Sequence, residues 1–231
     1  MSVLEYNYLR NLPLAIHIPS FHAFLVHGGM LPSDPTRDMH NRHQPLSHLP
    51  TLLRASKDIE VLRTAQELSL LSEIPQNRDP WTLLNIRDIT AKGKVSRVGG
   101  DGTPWAEIWN EIQSLCKGFD VSSNAEEDLK KKRLPWYVCY CLLCALNDAN
   151  SLLSYATSII YGHSASRGLD VQRWSTGIDT GCVYGRRLSA LVFGDTRTKG
   201  VDEAGGEEEL EEMRFGDSSK TRLVSVNCPK P

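Results

Sequence analysis

Two histidines stand in matching contexts. His27 sits near the end of "FHAFLVHGG" (Phe21 to Gly29), and His163 closes "ATSIIYGH" and leads into "SASRG". Each follows a short apolar run, and each has glycine beside it. Neutral imidazole is a common metal ligand. A strand end is a rigid place to hold one, and neighbouring glycines let backbone or substrate approach closely. Spacing alone also fits a plainer reading, two ordinary half-buried histidines in turns. Cys139-x-Cys141-x-x-Cys144 has the outline of a metal cluster, but it falls inside the apolar run "WYVCYCLLCAL" (Trp136 to Leu146). That run lacks turn residues and a fourth partner, which favours a buried apolar helix or an insertion over a cysteine metal site.

The elements that would carry the histidines can be read from periodicity. "FHAFLVHGG" predicts a buried strand ending in a glycine turn, and "ATSIIYGH" predicts a second short strand. Between them, residues 30–50 are rich in Pro, Asp and Asn and read as loop. From Thr51 to Ile74, Leu52, Leu53, Ile59, Leu62, Leu68 and Leu71 recur roughly at helical spacing, so one or two helices are expected there. "PQNRDPW" stops them. "PWAEIWNEIQSLC" (Pro104 to Cys116) opens with proline and an acidic first turn and keeps Ile108, Ile112 and Leu115 on one face, a helix signature. "TGIDTG" and "RRLSALVF" read as a pair of strands joined by a glycine-containing turn. Residues 199–214 are acidic and glycine-broken, which predicts a solvated loop. "TRLVSVNCP" predicts a last alternating strand. The sum is a mixed α/β chain with strands gathered towards its C-terminus.

Composition narrows the function classes. The chain has 231 residues, enough to bury a core, with a formal net charge of -2 and a sequence pI of about 6.4. There is no global basic field, so nucleic acid is not an expected partner. No apolar stretch is long enough to span a bilayer. The six cysteines make no disulfide framework by spacing, so a reducing compartment, cytoplasmic by default, is expected.

Longer motifs carry a resemblance. "VHGGMLPSDP", "PWTLLNIRDI", "PWAEIWN" and "YGHSASRGLD…GIDTGCVYGRRLSALV" resemble the second half of the calcineurin-like metallophosphoesterases. The branch is that of the bacterial symmetrical diadenosine tetraphosphatases, the protein serine/threonine phosphatases and the fungal metal-dependent endopolyphosphatases. The endopolyphosphatase-like group is nearest, because the match extends to the final "FGDS…RLVSVNCPKP". The resemblance implies a layered α/β/β/α sandwich around two mixed sheets. It implies hydrolysis of phosphoanhydride or phosphoester bonds with two divalent ions, zinc, manganese or iron, and a phosphate-containing substrate such as polyphosphate, a dinucleoside polyphosphate or a phosphoprotein. A vacuolar location fits some relatives.

Carried over by position, His27 and His163 would be metal ligands and Arg87 of "NIRD" would grip the substrate phosphate. Two ions lower the pKa of a water and neutralise phosphoryl charge. A guanidinium offers a planar fork to two phosphate oxygens, which lysine does not. Arg87 also admits a structural reading, a salt bridge with the adjacent Asp88. Arg167 of "SASRG" is a weaker phosphate candidate, with a structural role the alternative. Asp179 and Cys182 of "GIDTGC" read as shaping a turn. Trp81, Trp105 and Trp109 read as core or cleft-wall aromatics.

The motifs that open such domains, G-D-x-H-G, G-D-x-x-x-x-G and G-N-H-[DE], do not occur in the chain. They would supply the aspartates, the first histidine and the asparagine that complete the metal site. His17, His22, His40, His43 and His48 match none of them and read as loop or surface residues. Residues 1–231 are therefore expected to be the C-terminal portion of the domain: a truncated gene model, a fragment or a degenerate relative. Val138 to Ser154 interrupts the pattern. Val-Cys can be encoded by GTATGT and Ala-Asn by GCTAAC, as in a short fungal intron, so a retained intron is expected there. Two function classes follow: a metal-dependent phosphoesterase, endopolyphosphatase-like, and a catalytically incomplete chain that at most binds phosphate.

Overall fold

The computed structural model describes residues 1–38, 41, 43–48, 58–119, 152, 154–194 and 209–230. The cysteine run 139–144, His40, Leu52, Leu53, nearly all of 138–154 and residues 199–208 lie outside them. In chain order the elements are α1 (Val3–Arg10), β1 (Ala15–Ile18), β2 (Ala23–Val26), α2 (Ile59–Glu73), α3 (Pro80–Asn85), β3 (Asp88–Ile89), β4 (Val95–Ser96), β5 (Thr103–Pro104), α4 (Trp105–Ser114), β6 (Ser158–Tyr161), β7 (Asp170–Val171), β8 (Ser175–Gly177), β9 (Arg187–Phe193), β10 (Glu209–Phe215) and β11 (Ser218–Asn227).

The short apolar runs around the two histidines do form neighbouring strands. A five-stranded mixed sheet has the order β1-β2-β6-β8-β7, with β2, β6 and β8 parallel. Buried parallel strands read as continuous apolar runs because both faces are covered. Here Phe24, Val26, Ile159 and Tyr161 join Leu70 of α2, Ile74 just after it, Leu83 of α3 and Trp105, Trp109 and Ile112 of α4 in one core. Ala23 and Ile160, from the same strands, pack on Phe215 of a second sheet, ordered β10-β11-β9. A helical layer, a mixed sheet and an antiparallel sheet thus stack through β2 and β6, and the chain is α/β.

Several expectations need correction. "TGIDTG" and "RRLSALVF" do not pair as a hairpin: β8 belongs to the five-stranded sheet and β9 to the antiparallel one, with only a single bridge between Gly181 and Arg187. Residues 209–214 are not loop. They form most of β10, whose Leu210 and Met213 positions lie opposite Val224 and Thr221 of β11. Strands are less gathered towards the C-terminus than expected, since β1 to β5 precede residue 105 and β6 to β11 follow it. Trp105 and Trp109 are buried, but Trp81 is 44% exposed.

The face that α2 buries also differs from the apolar stripe read from its leucines. Leu68 is exposed, whereas Arg63, Gln66 and Glu67 are buried with Leu62 and Leu70. Buried polar groups need partners, and each has one from a distant segment. Gln66 exchanges hydrogen bonds with the backbone of Tyr155. Arg63 donates to the Ala156 carbonyl and to Asp217. Glu67 takes His17 Nε2 at 2.6 Å and His22 Nδ1 at 2.9 Å, one on each carboxylate oxygen. His17 and His22 are therefore half-buried members of a network joining β1, the turn before β2 and α2, not loop or surface histidines. His48 does lie in a loop, 3.5 Å from Glu73.

The cysteines correct another expectation. Cys182 and Cys228 form a disulfide across a Cα–Cα distance of 5.4 Å. The sequence separation of 46 hides the pairing. The register of β11 on β9 places Asn227 opposite Arg187 and so carries Cys228 to the turn that precedes β9. Cys182 thus ties its turn to the strand behind it, beyond shaping it. Replacing both cysteines by serine is expected to lower unfolding free energy by about 2–4 kcal/mol, read from urea denaturation under oxidising conditions. An unchanged midpoint would show that the loop is held by its backbone hydrogen bonds alone. Cys116 stays free, and burial pushes its thiol pKa up to about 12, which keeps it an unreactive core residue. Among the described residues no helix is long and apolar enough to cross a membrane.

Candidate functional site

The site forms where β2 and β6 end. Their register pairs Val26 with Tyr161, so the residues that follow emerge side by side, and Gly162 N–H donates to the His27 carbonyl at 2.9 Å. His27 and His163 then meet, with Nε2 of one 3.1 Å from Nδ1 of the other and ring centroids 4.9 Å apart. Carboxyl ends of neighbouring parallel strands are where α/β sheets place ligand sites. His163 takes a left-handed backbone, φ 59°, a conformation uncommon outside glycine that turns its ring towards His27.

Glycine after His27 brings in the third residue. A Cβ on Gly28 would stand 2.9 Å from the backbone of Leu83 and Leu84, so α3 sits directly against this turn. Gly28 and Gly29 both donate to the Leu83 carbonyl, at 2.8 and 3.4 Å. The neighbouring Gly29 has φ +154°, and a Cβ there would meet the Trp105 ring at 2.3 Å. The N-terminus of α3 is set by Asp79, which caps the backbone N–H groups of Trp81 and Thr82, and by Pro80 in its first turn. Its C-terminus delivers Arg87, whose N–H donates to Ser96 and whose carbonyl accepts from Trp105.

Arg87 does not pair with Asp88. Its Nη1 donates to Ser164 Oγ at 2.9 Å, one residue after His163. Asp88 is fully buried and points elsewhere: it accepts from the backbone of Gly100 and Gly102, and Arg167 Nη2 lies 3.6 Å from its other oxygen. Arg167 also reaches Asp170 at 3.9 Å. Arg167 is thus occupied by two carboxylates, whereas among the described residues Arg87 has no ion-pair partner.

A cavity of about 490 Å³ opens here, lined by Arg87, His163, Ser166, Asp179, Tyr184 and Arg186 together with Ala165 and Val183. Arg167 is not in its wall. Arg186 and Tyr184 escaped the sequence reading. They flank a glycine that reads as simple turn, and nothing local signals that the turn between β8 and β9 folds back over His163.

Burial, then the nearby Arg87 and His27, hold the His163 pKa below its ordinary 6.5, and Asp179 opposes them. A depressed folded-state pKa means that the unfolded chain takes up this proton first. The contribution of His163 to stability is therefore present above pH 6.5 and is lost as pH falls through the lower folded value. Imidazole proton shifts in NMR should give His163 a midpoint under 6.5, moving up in Arg87→Ala. A midpoint at or above 6.5 would contradict this.

Metal-ligand chemistry can be tested against the pair. Two nitrogens sharing one zinc at about 2.0–2.1 Å with tetrahedral angles lie roughly 3.3 Å apart. The observed 3.1 Å is near that spacing and is also the length of a hydrogen bond between the two imidazoles. Catalytic zinc sites use three protein ligands, and among the described residues no group of three or more His, Cys, Asp or Glu is placed to hold a metal.

No protein-family model matches the chain, and no curated protein matches it. Among solved structures, a crystal structure of a protein provisionally named a diadenosine tetraphosphatase is similar, with 20% identity and a TM-score of 0.39. The overlap covers 84% of this chain and 52% of that one, so the chain spans about half the length of the structure it matches.

Proposed function

We propose that the chain carries a phosphate-handling site of the calcineurin-like metallophosphoesterase type, acting on phosphoanhydride or phosphoester bonds. One observation supports this above the others: His27, His163 and Arg87, which has no ion-pair partner among the described residues, converge from three separate segments on the carboxyl ends of adjacent parallel strands. His27 and His163 would hold a divalent ion, zinc, manganese or iron. Such an ion supplies a water of lowered pKa and neutralises phosphoryl charge. Arg87 binds two phosphoryl oxygens through its fork, and Ser164 fixes the plane of that fork. The motifs from "VHGGMLPSDP" to "RLVSVNCPKP" favour the endopolyphosphatase-like subclass, with polyphosphate ahead of dinucleoside polyphosphates or phosphoproteins.

A second reading has its own support. Among the described residues the two imidazoles have no third ligand, which favours a chain that binds phosphate but does not turn it over. Calorimetry with inorganic phosphate, with and without zinc or manganese, separates the readings when combined with hydrolysis assays on para-nitrophenyl phosphate and tripolyphosphate. Metal-dependent turnover that His27→Ala and His163→Ala abolish supports the enzyme. Metal-enhanced binding without turnover supports the incomplete site. Binding that neither substitution affects sinks both.

A further inference from the structure

The cavity holds a second arginine that no motif assigns. Arg186, an exposed residue, lines it together with Arg87 and, like Arg87, has no ion-pair partner among the described residues. A guanidinium of this kind has the chemistry to take an anion, because arginine stays charged and brings five donors. One of those donors is already used: Nη1 bonds the Ala165 carbonyl at 2.8 Å, which fixes the side chain's direction and leaves the rest of the fork open.

The backbone of Arg186 is held as firmly. Its N–H donates to the Gly181 carbonyl, its carbonyl accepts from Cys228 N–H at 2.8 Å, and the Cys182–Cys228 disulfide closes the same turn. Gly181 and Gly185, both left-handed at φ 76° and 69°, let the chain double back within this short span. Prior ordering of this kind lowers the entropic cost of binding. The cavity, about 490 Å³, falls in the range of sites for multi-group ligands, about 300–1,000 Å³, so one phosphate held by Arg87 leaves room beside it.

We propose that Arg186 is a specificity residue that grips a second phosphoryl group linked to the one held at Arg87, so that the site prefers linked phosphates over a single phosphate. This rests on the phosphate-handling reading above. Asp179, also in the cavity lining, restrains the total positive charge and disfavours anions seated away from the two guanidinium groups.

Calorimetry on the full chain with tripolyphosphate and with inorganic phosphate tests the assignment. Arg186→Ala is expected to weaken tripolyphosphate binding about tenfold or more, as loss of a charge-assisted hydrogen bond does, and to change phosphate binding by under about threefold. Arg186→Lys, which keeps the charge but not the fork, should recover only part of the loss. Arg87→Ala should weaken both ligands. If Arg87→Ala weakens both and Arg186→Ala neither, the phosphate site stands and the role of Arg186 is wrong. Equal losses of both ligands in Arg186→Ala, or full recovery by lysine, reduce it to a general charge effect and overturn the proposal. If wild-type chain binds neither ligand, the phosphate-site reading and this proposal fall together.

Discussion

Arg87→Ala should lose phosphate binding by about a hundredfold or more, the equivalent of two charge-assisted hydrogen bonds. The expectation follows from what surrounds the guanidinium. Ser164 takes Nη1 at 2.9 Å, and among the described residues no carboxylate competes for the remainder. Its backbone is pinned on both sides, by Ser96 and Trp105, so little ordering remains to be done on binding. Arg87→Lys should fall between wild type and alanine, because an ammonium keeps the charge but cannot present two parallel donors. Titration calorimetry or phosphorus NMR reads the difference. Near-wild-type binding in Arg87→Ala would remove this residue from the site. The substitution should leave unfolding by urea little changed, because the side chain contributes one neutral acceptor bond to the fold.

Glu67→Leu should have the largest effect on stability, a loss of about 3–5 kcal/mol, as when one partner of a buried ion pair is removed. Glu67 is 0% exposed and holds His17, His22 and, at 3.5 Å, Arg63. Leucine would pack but would remove the carboxylate that His17 and His22 share and one of the contacts of Arg63, which keeps Ala156 and Asp217. Glu67→Gln keeps an acceptor and should cost less. Urea denaturation measures both, and a loss under about 1 kcal/mol for Glu67→Leu would show that the network contributes nothing beyond packing. The network bears on the site as well. His22 carbonyl accepts from Ser158 N–H at 2.9 Å, so the residue that anchors Glu67 also aligns the start of β2 with β6.

That network shows where sequence reading stops. The strands under His27 and His163 were legible because both are short, apolar and ended by glycine, and a buried parallel strand has that pattern for a simple reason of coverage. The helix at 105–114 was legible from Pro104, Glu107 and the spacing of Ile108 and Ile112. The buried face of α2 was not, because it carries Arg63, Gln66 and Glu67, polar residues whose partners are some 45 to 154 positions away in sequence. Periodicity assigns such residues to solvent. His17 and His22 were misplaced for the same reason. At the site, His27 and His163 could be singled out one at a time, but their meeting depends on β2 pairing with β6 across 136 residues. Arg186 lay beyond reach, since only the fold-back of the turn ahead of β9 brings it into the cavity. The disulfide was hidden likewise, because only the register of β11 on β9 brings Cys228 to Cys182.

The central claim is that His27 and His163 act together as ligands beside Arg87. Nitrogen-15 NMR of the imidazoles during a zinc titration tests it most directly, since metal-bound and protonated nitrogens have distinct shifts. The account predicts that His27 Nε2 and His163 Nδ1 shift together at one zinc equivalent, while His43 and His48 do not move, and that either histidine-to-alanine substitution abolishes the response of the other. Zinc shifts spread over the other histidines, or a His163 response that persists in His27→Ala at unchanged affinity, would contradict it.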